Sequence, residues 1–239
     1  MNIAVIIAGG SGQRMKQDIP KQFLNVYDKP VIIYTLETFQ RHPKIDMIEV
    51  VCLEGWHDVL NAYAKQFRID KLKKIVPGGN TAQESIRNGL LGIQGECKPD
   101  DIVVIHDGIR PLVEEYVLSD VLIKCEKYGN AVTSLPYNEQ IFIKSDDCET
   151  TTQYIPRDTL RRVSTPQAYR YEKIMKAYDK AFKENIGIAN STYANTLMVD
   201  LGEKLYFAAG SDKNIKITTK DDLELFKAYI KMDKDSWLK

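Results

Sequence analysis

The sequence has 239 residues, of which 44% are hydrophobic, and it carries 33 basic and 33 acidic side chains. This length and balance predict a single globular domain over residues 1–239 with a sizeable core. The even charge excludes a global basic field of the kind that attracts nucleic acid, so we expect no nucleic-acid partner. No apolar stretch reaches the ~18 residues of a membrane span, and the first apolar run has no basic leader, so we expect a cytoplasmic protein without membrane contact.

Short apolar runs alternate with longer amphipathic segments along the first half of the chain. The predicted strands there are Asn2–Ala8, Met47–Leu53, Lys74–Val76 and Asp101–His106. The predicted helices are Val31–Gln40, Asp58–Phe67, a helix begun by a capping box at Thr81 and Glu84, and Glu114–Tyr128. This order predicts an α/β fold with a doubly wound, mostly parallel, Rossmann-like sheet. Ligands of such sheets bind at the carboxyl ends of the strands, so the turns Ala8–Arg14, Pro77–Asn80 and Asp107–Pro111 are expected to line the site.

The alternation breaks between about residues 134 and 162. Gln140–Lys144 and Thr152–Ile155 have the pattern of exposed antiparallel strands. We interpret this stretch as a protruding β-arm. Because such an arm has no core of its own, it is expected to pack on a second subunit of a homodimer. The chain then continues with the predicted helix Tyr171–Lys183, strands Lys204–Ala208 and Asn214–Thr218, and helix Asp221–Met232.

A glycine-rich turn directly follows the first predicted strand. The segment Ala8–Arg14 contains three glycines, whose backbone amides can approach phosphate oxygens closely. A plain tight turn is the alternative. The turn is neither a Walker loop nor a dinucleotide fingerprint, because Met15 stands where the third glycine of the fingerprint belongs. Arg14 and Lys21 supply the positive charge that a triphosphate requires.

A strand-end carboxylate marks a second candidate site. Asp107 follows the fourth predicted strand and can hold Mg²⁺ that also binds phosphate oxygens, while Gly108 keeps the approach open. A helix cap is the alternative for Asp107, and a salt bridge is the alternative for Arg110. His106 has no partner in the pattern, and we assign it to packing.

Two further segments offer polar groups to the same edge of the sheet. The loop Pro77–Asn80, with Ser85 on the following helix, is suited to binding the edge of a base, although a helix cap explains it equally well. Lys216 lies between Ile215 and Ile217, so its side chain is expected to point away from theirs and toward the cleft.

Taken together, the motifs AGGSGQRM, PKQF, PGGN, HDGIRP, STPQ and NIKITT resemble cytidylyltransferases of the methylerythritol-phosphate and ribitol-phosphate type. The resemblance covers nearly the whole chain in the correct order. The first two motifs alone are also similar to sugar-activating nucleotidyltransferases more widely.

This resemblance implies a role for each matching residue. Catalytic charge stabilisation is implied for Arg14, Lys21 and Lys216. Binding of CTP is implied for Ala8, Gly9, Gly10, Gly12, Gly79, Asn80, Ser85, Asp107 and Gly108, with Asp107 also beside Mg²⁺. Binding of a small polyol phosphate is implied for Arg110, Arg157, Thr165 and Thr192, with Arg157 contributed by the arm of a partner subunit.

Three segments depart from the pattern of that family. Tyr193 stands where an Asp is common, and Asn80–Ala82 follow the two glycines where an acidic residue and then an Arg are usual. Tyr137–Gln140 stand where the arm commonly has Arg-Asp-Thr. These changes leave the CTP side largely intact and affect the acceptor side. D-ribitol 5-phosphate is the expected acceptor, with 2-C-methyl-D-erythritol 4-phosphate and glycerol phosphate as alternatives.

The expected reaction is attack by an oxygen of the acceptor's phosphate on the α-phosphorus of CTP, with release of pyrophosphate. The phosphate is already anionic, so catalysis rests on position and charge neutralisation. Three other classes stay open on sequence alone: a nucleotidyltransferase that uses UTP or GTP, an NAD-binding oxidoreductase, and a non-enzymatic nucleotide sensor.

Overall fold

The fold is built on a central sheet with helices on both faces. The computed structural model describes residues 1–10, 19–189 and 193–234. Within these residues the strands are β1 (Asn2–Ala8), β2 (Asn25–Val26), β3 (Lys29–Pro30), β4 (Met47–Cys52), β5 (Leu72–Pro77), β6 (Ile102–Asp107), β7 (Asn130–Pro136), β8 (Ile141–Ile143), β9 (Gln153–Ile155), β10 (Arg161–Arg170) and β11 (Phe207–Ala209). The α-helices there are α1 (Val31–Arg41), α2 (His57–Gln66), α3 (Ala82–Gly92), α4 (Glu115–Tyr128), α5 (Tyr171–Glu184), α6 (Ala194–Asp200) and α7 (Lys220–Lys234).

The main sheet has the strand order β11-β7-β10-β6-β1-β4-β5. All its neighbouring pairs are parallel except those of β10, which runs antiparallel to both β6 and β7. Helices α1, α2 and α4 pack on one face, where Ala4 and Ile6 of β1 are buried. Helices α3, α5 and α6 pack on the other face, where Ile3 and Val5 are buried. The predicted doubly wound, mostly parallel sheet is therefore confirmed.

The sequence prediction missed β7 and β10, which lie next to each other in the main sheet. Their pairing shifts register between Ser164 and Gln167, and Pro166 lies in the irregular part. A proline inside an apolar-polar run argues against a central strand, because proline has no backbone N–H to donate to a neighbouring strand. The bulge accommodates it here, so the segment pairs on both sides despite its pattern.

Two predictions in the last third of the chain were wrong in detail. Residues 214–218 form no strand and are held instead by the Ile217 amide, which donates to the Ile109 carbonyl at 2.9 Å. The strand expected at Lys204–Ala208 begins only at Phe207. Helix α6 was missed because its seven residues are too few to show a helical period.

The predicted arm is a two-stranded hairpin separate from the main sheet. Strand β8 pairs antiparallel with β9, and Phe142 lies opposite Tyr154. Both aromatic side chains are exposed, by 59% and 61%. The packing of this arm on a second subunit stays a prediction. Among the described residues, no helix is both long and apolar enough to cross a membrane.

Candidate functional site

A cleft of about 540 Å³ opens at the carboxyl ends of the parallel strands β1 and β6. It is the place that the fold class predicts for a ligand. Ten of the predicted site residues line it: Ala8, Gly9, Gly10, Lys21, Gly79, Asn80, Ser85, Asp107, Thr165 and Lys216. Gly12, Arg14 and Thr192 lie outside the described residues, so their predicted roles stay predictions. The three predicted turns thus meet at one cavity as far as the structure describes them.

The start of the glycine turn is fixed by a side chain that sequence reasoning did not select. Nε2 of Gln22 donates to the carbonyl of Ala8 at 2.8 Å and to that of Gly10 at 3.0 Å. Gln22 is only 1% exposed and also lines the cleft. The only sequence signal was its place between Lys21 and a buried aromatic residue. Gln22 therefore sets the course of the backbone that is predicted to contact phosphate.

Lys21 begins a short 3₁₀ turn, Lys21–Phe23, that follows Pro20. The turn is anchored by Phe23, which is buried and stacks on Trp56 with ring centroids 4.5 Å apart. Because its neighbours in the turn are buried, the Lys21 stem starts from a rigid point. Its side chain lines the cleft, on the wall that also carries the glycine turn.

The loop before α3 packs against the glycine turn, because a Cβ on Gly9 would lie 3.2 Å from Cα of Gly78. Oγ of Ser85 accepts from the Gly79 amide at 3.0 Å and donates to the Thr81 carbonyl at 2.9 Å. A Cβ on Gly79 would lie 2.3 Å from Cβ of Glu84, so only glycine fits there. The predicted capping box forms with one difference. Thr81 accepts from the Glu84 amide, while the Glu84 carboxylate accepts from the Asn80 amide at 2.7 Å instead of the expected amide of Thr81.

Asp107 at the end of β6 is the centre of a charged network. Its Oδ2 lies 2.8 Å from Nε of Arg110 and 3.2 Å from Nζ of Lys216. Burial raises the pKa of Asp107, but the charges of Lys216 and Arg110 outweigh burial and hold that pKa below its ordinary value. The carboxylate is therefore ionised at neutral pH, and the charges of Arg110 and Lys216 offset part of its charge at Oδ2.

The other oxygen of Asp107 is the candidate metal ligand. Oδ1 makes no hydrogen bond or ion pair with any described residue. No group of three or more His, Cys, Asp or Glu side chains within residues 1–10, 19–189 and 193–234 is placed to hold a metal. A carboxylate in the cleft lining with one oxygen not engaged by a described residue suits Mg²⁺, which is commonly held by one or two carboxylates and by substrate phosphates. The residues present thus fit the predicted metal.

Arg110 does not line the cleft. Besides its pair with Asp107, its guanidinium donates to the carbonyl of Asn214 at 2.8 Å. The alternative of a salt bridge, open on sequence alone, is what the structure shows. The direct contact with substrate that was predicted for Arg110 stays a prediction. In this structure Arg110 orients Asp107 and ties the 214–218 segment to the end of β6.

The bulge in β10 joins the same network through Thr165. Its Oγ1 accepts from the Asp107 amide at 3.2 Å, and its carbonyl accepts from Nδ2 of Asn214 at 2.7 Å. These bonds bring the 214–218 segment to the cleft without a strand. The predicted alternation holds there, because Ile217 is fully buried while Lys216 lines the cleft.

The remaining predicted residues lie away from the cavity lining. Gly108 is buried, with its amide donating to the Ile7 carbonyl at 2.9 Å, so it shapes the backbone behind the site. Arg157 is exposed, in a 3₁₀ turn next to the arm. His106 is fully buried, and its Nε2 lies 3.2 Å from the Arg110 carbonyl. Burial lowers the pKa of His106 to about 4, so the ring is neutral and structural, in agreement with its assignment to packing.

Tyr193 is a cleft residue for which the sequence suggested no role. It lies 37% exposed at the start of α6, and its ring centroid is 5.2 Å from Nζ of Lys216. The signal in the sequence was its departure from the family pattern. Among the residues that the structure describes, the cleft combines the Asp107 carboxylate, two lysines and the Tyr193 ring, a set suited to binding polyphosphate.

Comparison with known proteins agrees with this chemistry. The family model described as 2-C-methyl-D-erythritol 4-phosphate cytidylyltransferase (IspD) matches residues 2–232. A ribitol-5-phosphate cytidylyltransferase from Lacticaseibacillus paracasei is 62% identical over 231 residues, which cover 97% of this chain and 98% of the relative. A 2-C-methyl-D-erythritol 4-phosphate cytidylyltransferase from Clostridium acetobutylicum is 38% identical over 224 residues, covering 93% and 94%.

A solved structure extends the similarity to the fold. The 4-diphosphocytidyl-2C-methyl-D-erythritol synthase from Anaerococcus prevotii superimposes with a TM-score of 0.80 at 26% sequence identity. The match covers 96% of this chain and 98% of that one. The similarity in fold therefore extends over nearly the whole length of both chains.

Proposed function

Because the chain belongs to the cytidylyltransferase family of the methylerythritol-phosphate and ribitol-phosphate type, we propose that its cleft transfers CMP from CTP to D-ribitol 5-phosphate and releases pyrophosphate. The observation that carries the acceptor is the 62% identity, over nearly the full length of both chains, to a ribitol-5-phosphate cytidylyltransferase. The alternative acceptor is 2-C-methyl-D-erythritol 4-phosphate, which the family model and the relative from Clostridium acetobutylicum favour.

The geometry supports this reaction through the position of its charges. Lys21 lies on one wall of the cleft, with the glycine turn, and Lys216 lies beside Asp107 at the end of β6. A triphosphate bound along the glycine turn would share its cleft with both of these cationic groups. An oxygen of the acceptor's phosphate attacks that phosphorus in line, one P–O bond forms, and the bond to pyrophosphate breaks.

No strong general base is needed, since the attacking phosphate is already anionic. The nearest histidine in sequence to the charged network, His106, is neutral and fully buried, and it is not among the cleft residues. The work of the cleft residues is to orient the two substrates and to offset the charge that develops as pyrophosphate leaves.

Asp107 is the residue that would hold Mg²⁺, through Oδ1. The ion, when bound, would neutralise charge on the triphosphate oxygens. Arg110 and Lys216 hold the other oxygen, so they fix the direction in which the carboxylate faces the cleft.

The protein is further proposed to act as a homodimer through the arm. Phe142 and Tyr154 lie on one face of the hairpin with their ring centroids 6.5 Å apart, and both are more than half exposed. Burying such a pair against a second copy would stabilise the dimer by about 2–4 kcal/mol per arm. Light scattering should show a dimer for the wild type and a monomer for Phe142→Ser with Tyr154→Ser. A wild-type monomer at working concentration would count against this proposal.

The proposed reaction is tested by measuring pyrophosphate and CDP-ribitol with each of the four ribonucleoside triphosphates and ribitol 5-phosphate. The two products should appear in equal amounts with CTP and not with UTP, GTP or ATP. Lys216→Met should lower kcat about 100-fold, because it removes one preorganised contact to the reacting phosphates. The matched control is Lys213→Met, which changes an exposed lysine three residues away. Its kcat should stay within about twofold of the wild-type value. Pyrophosphate release with UTP or GTP but not CTP would refute the proposal.

A further inference from the structure

The ammonium group of Lys216 lies between an anion and an aromatic ring. On one side, its Nζ is 3.2 Å from Oδ2 of Asp107. On the other, the ring centroid of Tyr193 is 5.2 Å away, within the range of a cation–π contact. Both partners line the cleft together with Lys216. The lysine is thus held from two sides at the cavity surface.

The backbone of Tyr193 is anchored by a buried hydrogen-bond chain. Its carbonyl accepts from Nε2 of Gln83 at 3.0 Å, and Oε1 of Gln83 accepts from the hydroxyl of Tyr178 at 2.7 Å. Gln83 and Tyr178 are both fully buried. The same carbonyl also accepts from the hydroxyl of Thr196 in the first turn of α6. These bonds fix the Cα of Tyr193, so the ring has a defined place on the cleft wall.

Resting on the proposed function, we propose that Tyr193 is a positioning residue for Lys216 and that its neutral ring keeps the ammonium charge available to the acceptor's phosphate. Lys216 already shares Asp107 with Arg110. An acidic side chain at position 193 would give the lysine a second anion and would place a negative charge beside the incoming phosphate. An aromatic ring orders the ammonium group without cancelling its charge.

Three substitutions at position 193 test the proposal. Tyr193→Phe keeps the ring and should keep kcat/KM for ribitol 5-phosphate within about twofold of the wild type. Tyr193→Leu removes the ring and should lower that value about 2- to 30-fold, the range of a cation–π contact. Tyr193→Asp should lower it further than leucine does. In all three, KM for CTP should change little, because the wall made by Gly79 and Ser85 is untouched.

Structural damage is separated from lost positioning by two readouts. The thermal midpoint of each variant should stay within about 2 °C of the wild type. Tyr116→Leu, an exposed tyrosine outside the cleft lining, serves as the matched control and should leave both kinetic constants unchanged. A general destabilisation of α6 would not lower kcat/KM for the acceptor alone in Tyr193→Leu. Nor would it leave that value near the wild-type value in Tyr193→Phe.

Two results would overturn the proposal while leaving the proposed function intact. Activity of Tyr193→Leu or Tyr193→Asp equal to that of the wild type would show that the ring does not position Lys216. A loss in Tyr193→Phe as large as in Tyr193→Leu would show that the hydroxyl acts instead of the ring. By contrast, a wild-type enzyme that forms no CDP-polyol with any acceptor would refute the proposed function itself.

Discussion

Arg110 and Asp107 form an ion pair at the end of β6, with Nε of the arginine 2.8 Å from Oδ2 of the carboxylate. Both side chains are largely buried, and the same arginine holds the Asn214 carbonyl. The pair thus links the strand end to the segment that carries Lys216. It gives the cleft its fixed carboxylate and makes Arg110 a structural part of the site.

Replacing Arg110 should therefore destabilise the fold. Arg110→Met leaves the Asp107 carboxylate with one cationic partner fewer and removes the bond to Asn214. We expect the free energy of unfolding to fall by about 3–5 kcal/mol, as for loss of one partner of a buried pair. Urea denaturation measures it. Arg162→Met removes an exposed arginine paired with Asp212 and should cost less than about 1 kcal/mol. Equal losses in the two variants would contradict the structural role of Arg110.

Gln22 should control binding of CTP through the glycine turn. Gln22→Glu replaces the amide donor by an acceptor, so the carbonyls of Ala8 and Gly10 lose their partner and a negative charge approaches the bound phosphates. We expect KM for CTP to rise at least about tenfold, from loss of two buried hydrogen bonds. Steady-state kinetics with saturating acceptor measures this. Gln66→Glu, on the exposed face of α2, is the control and should behave as the wild type. An unchanged KM in Gln22→Glu would separate the turn from CTP binding.

Lys21 should contribute to the chemical step. Lys21→Ala removes a cation from the wall of the cleft and should lower kcat by about two to three orders of magnitude, as loss of one preorganised transition-state contact does. Lys73→Ala removes an exposed lysine from β5 and serves as the control. Single-turnover measurements distinguish the chemical step from release of product. Near-normal turnover in Lys21→Ala would remove this residue from the mechanism.

Glu49 should make the protein less stable as pH rises. Its side chain is fully buried in β4, and neither carboxyl oxygen has a hydrogen-bond partner among the described residues. Burial raises the pKa of Glu49 to about 8. Between about pH 5 and pH 8 the folded protein therefore keeps a proton that the unfolded chain has released, and the free energy of unfolding falls with rising pH.

The change Glu49→Gln removes this titration. Between about pH 5 and pH 8 the free energy of unfolding of the wild type should fall by an amount on the order of 4 kcal/mol, and that of the variant should not show this fall. Denaturant unfolding at several pH values in this window gives the difference between the two proteins. Glu96→Gln, an exposed carboxylate that pairs with Lys74, is the control and should keep the wild-type slope. Parallel pH profiles for wild type and Glu49→Gln would show that Glu49 titrates normally.

The sequence predicts much of the fold because β1, β4 and β6 are mostly apolar runs. Strand β6 (Ile102–Asp107) is an apolar run that ends in a carboxylate, Asp107. The same residues therefore predict both the strand and the site at its end. The alternation around Lys216 correctly placed its side chain at the cleft, although the expected strand does not form. Strand β10 was missed because its polar residues and Pro166 are atypical of a central strand, although β10 pairs with both β6 and β7.

The rest of the site depends on contacts between residues far apart in the chain. Nothing local to Gln22 shows that it binds two carbonyls of the glycine turn. Nothing local to Arg110 decides between a substrate contact and its pair with Asp107, because both need a charged side chain at a strand end. Tyr193 and Lys216 are 23 residues apart in the sequence. They come together only because α6 and the 214–218 segment dock at the same cleft.

Competition between acceptors tests the central claim most directly. Wild-type protein is given CTP with equal concentrations of ribitol 5-phosphate, 2-C-methyl-D-erythritol 4-phosphate and glycerol 3-phosphate, and the CDP-polyols are separated and quantified by mass spectrometry. We predict that CDP-ribitol forms at least about tenfold faster than either other product, a difference that one well-made polar contact in the acceptor site supplies. Preferential formation of either other CDP-polyol, or the absence of all three, would contradict the assignment.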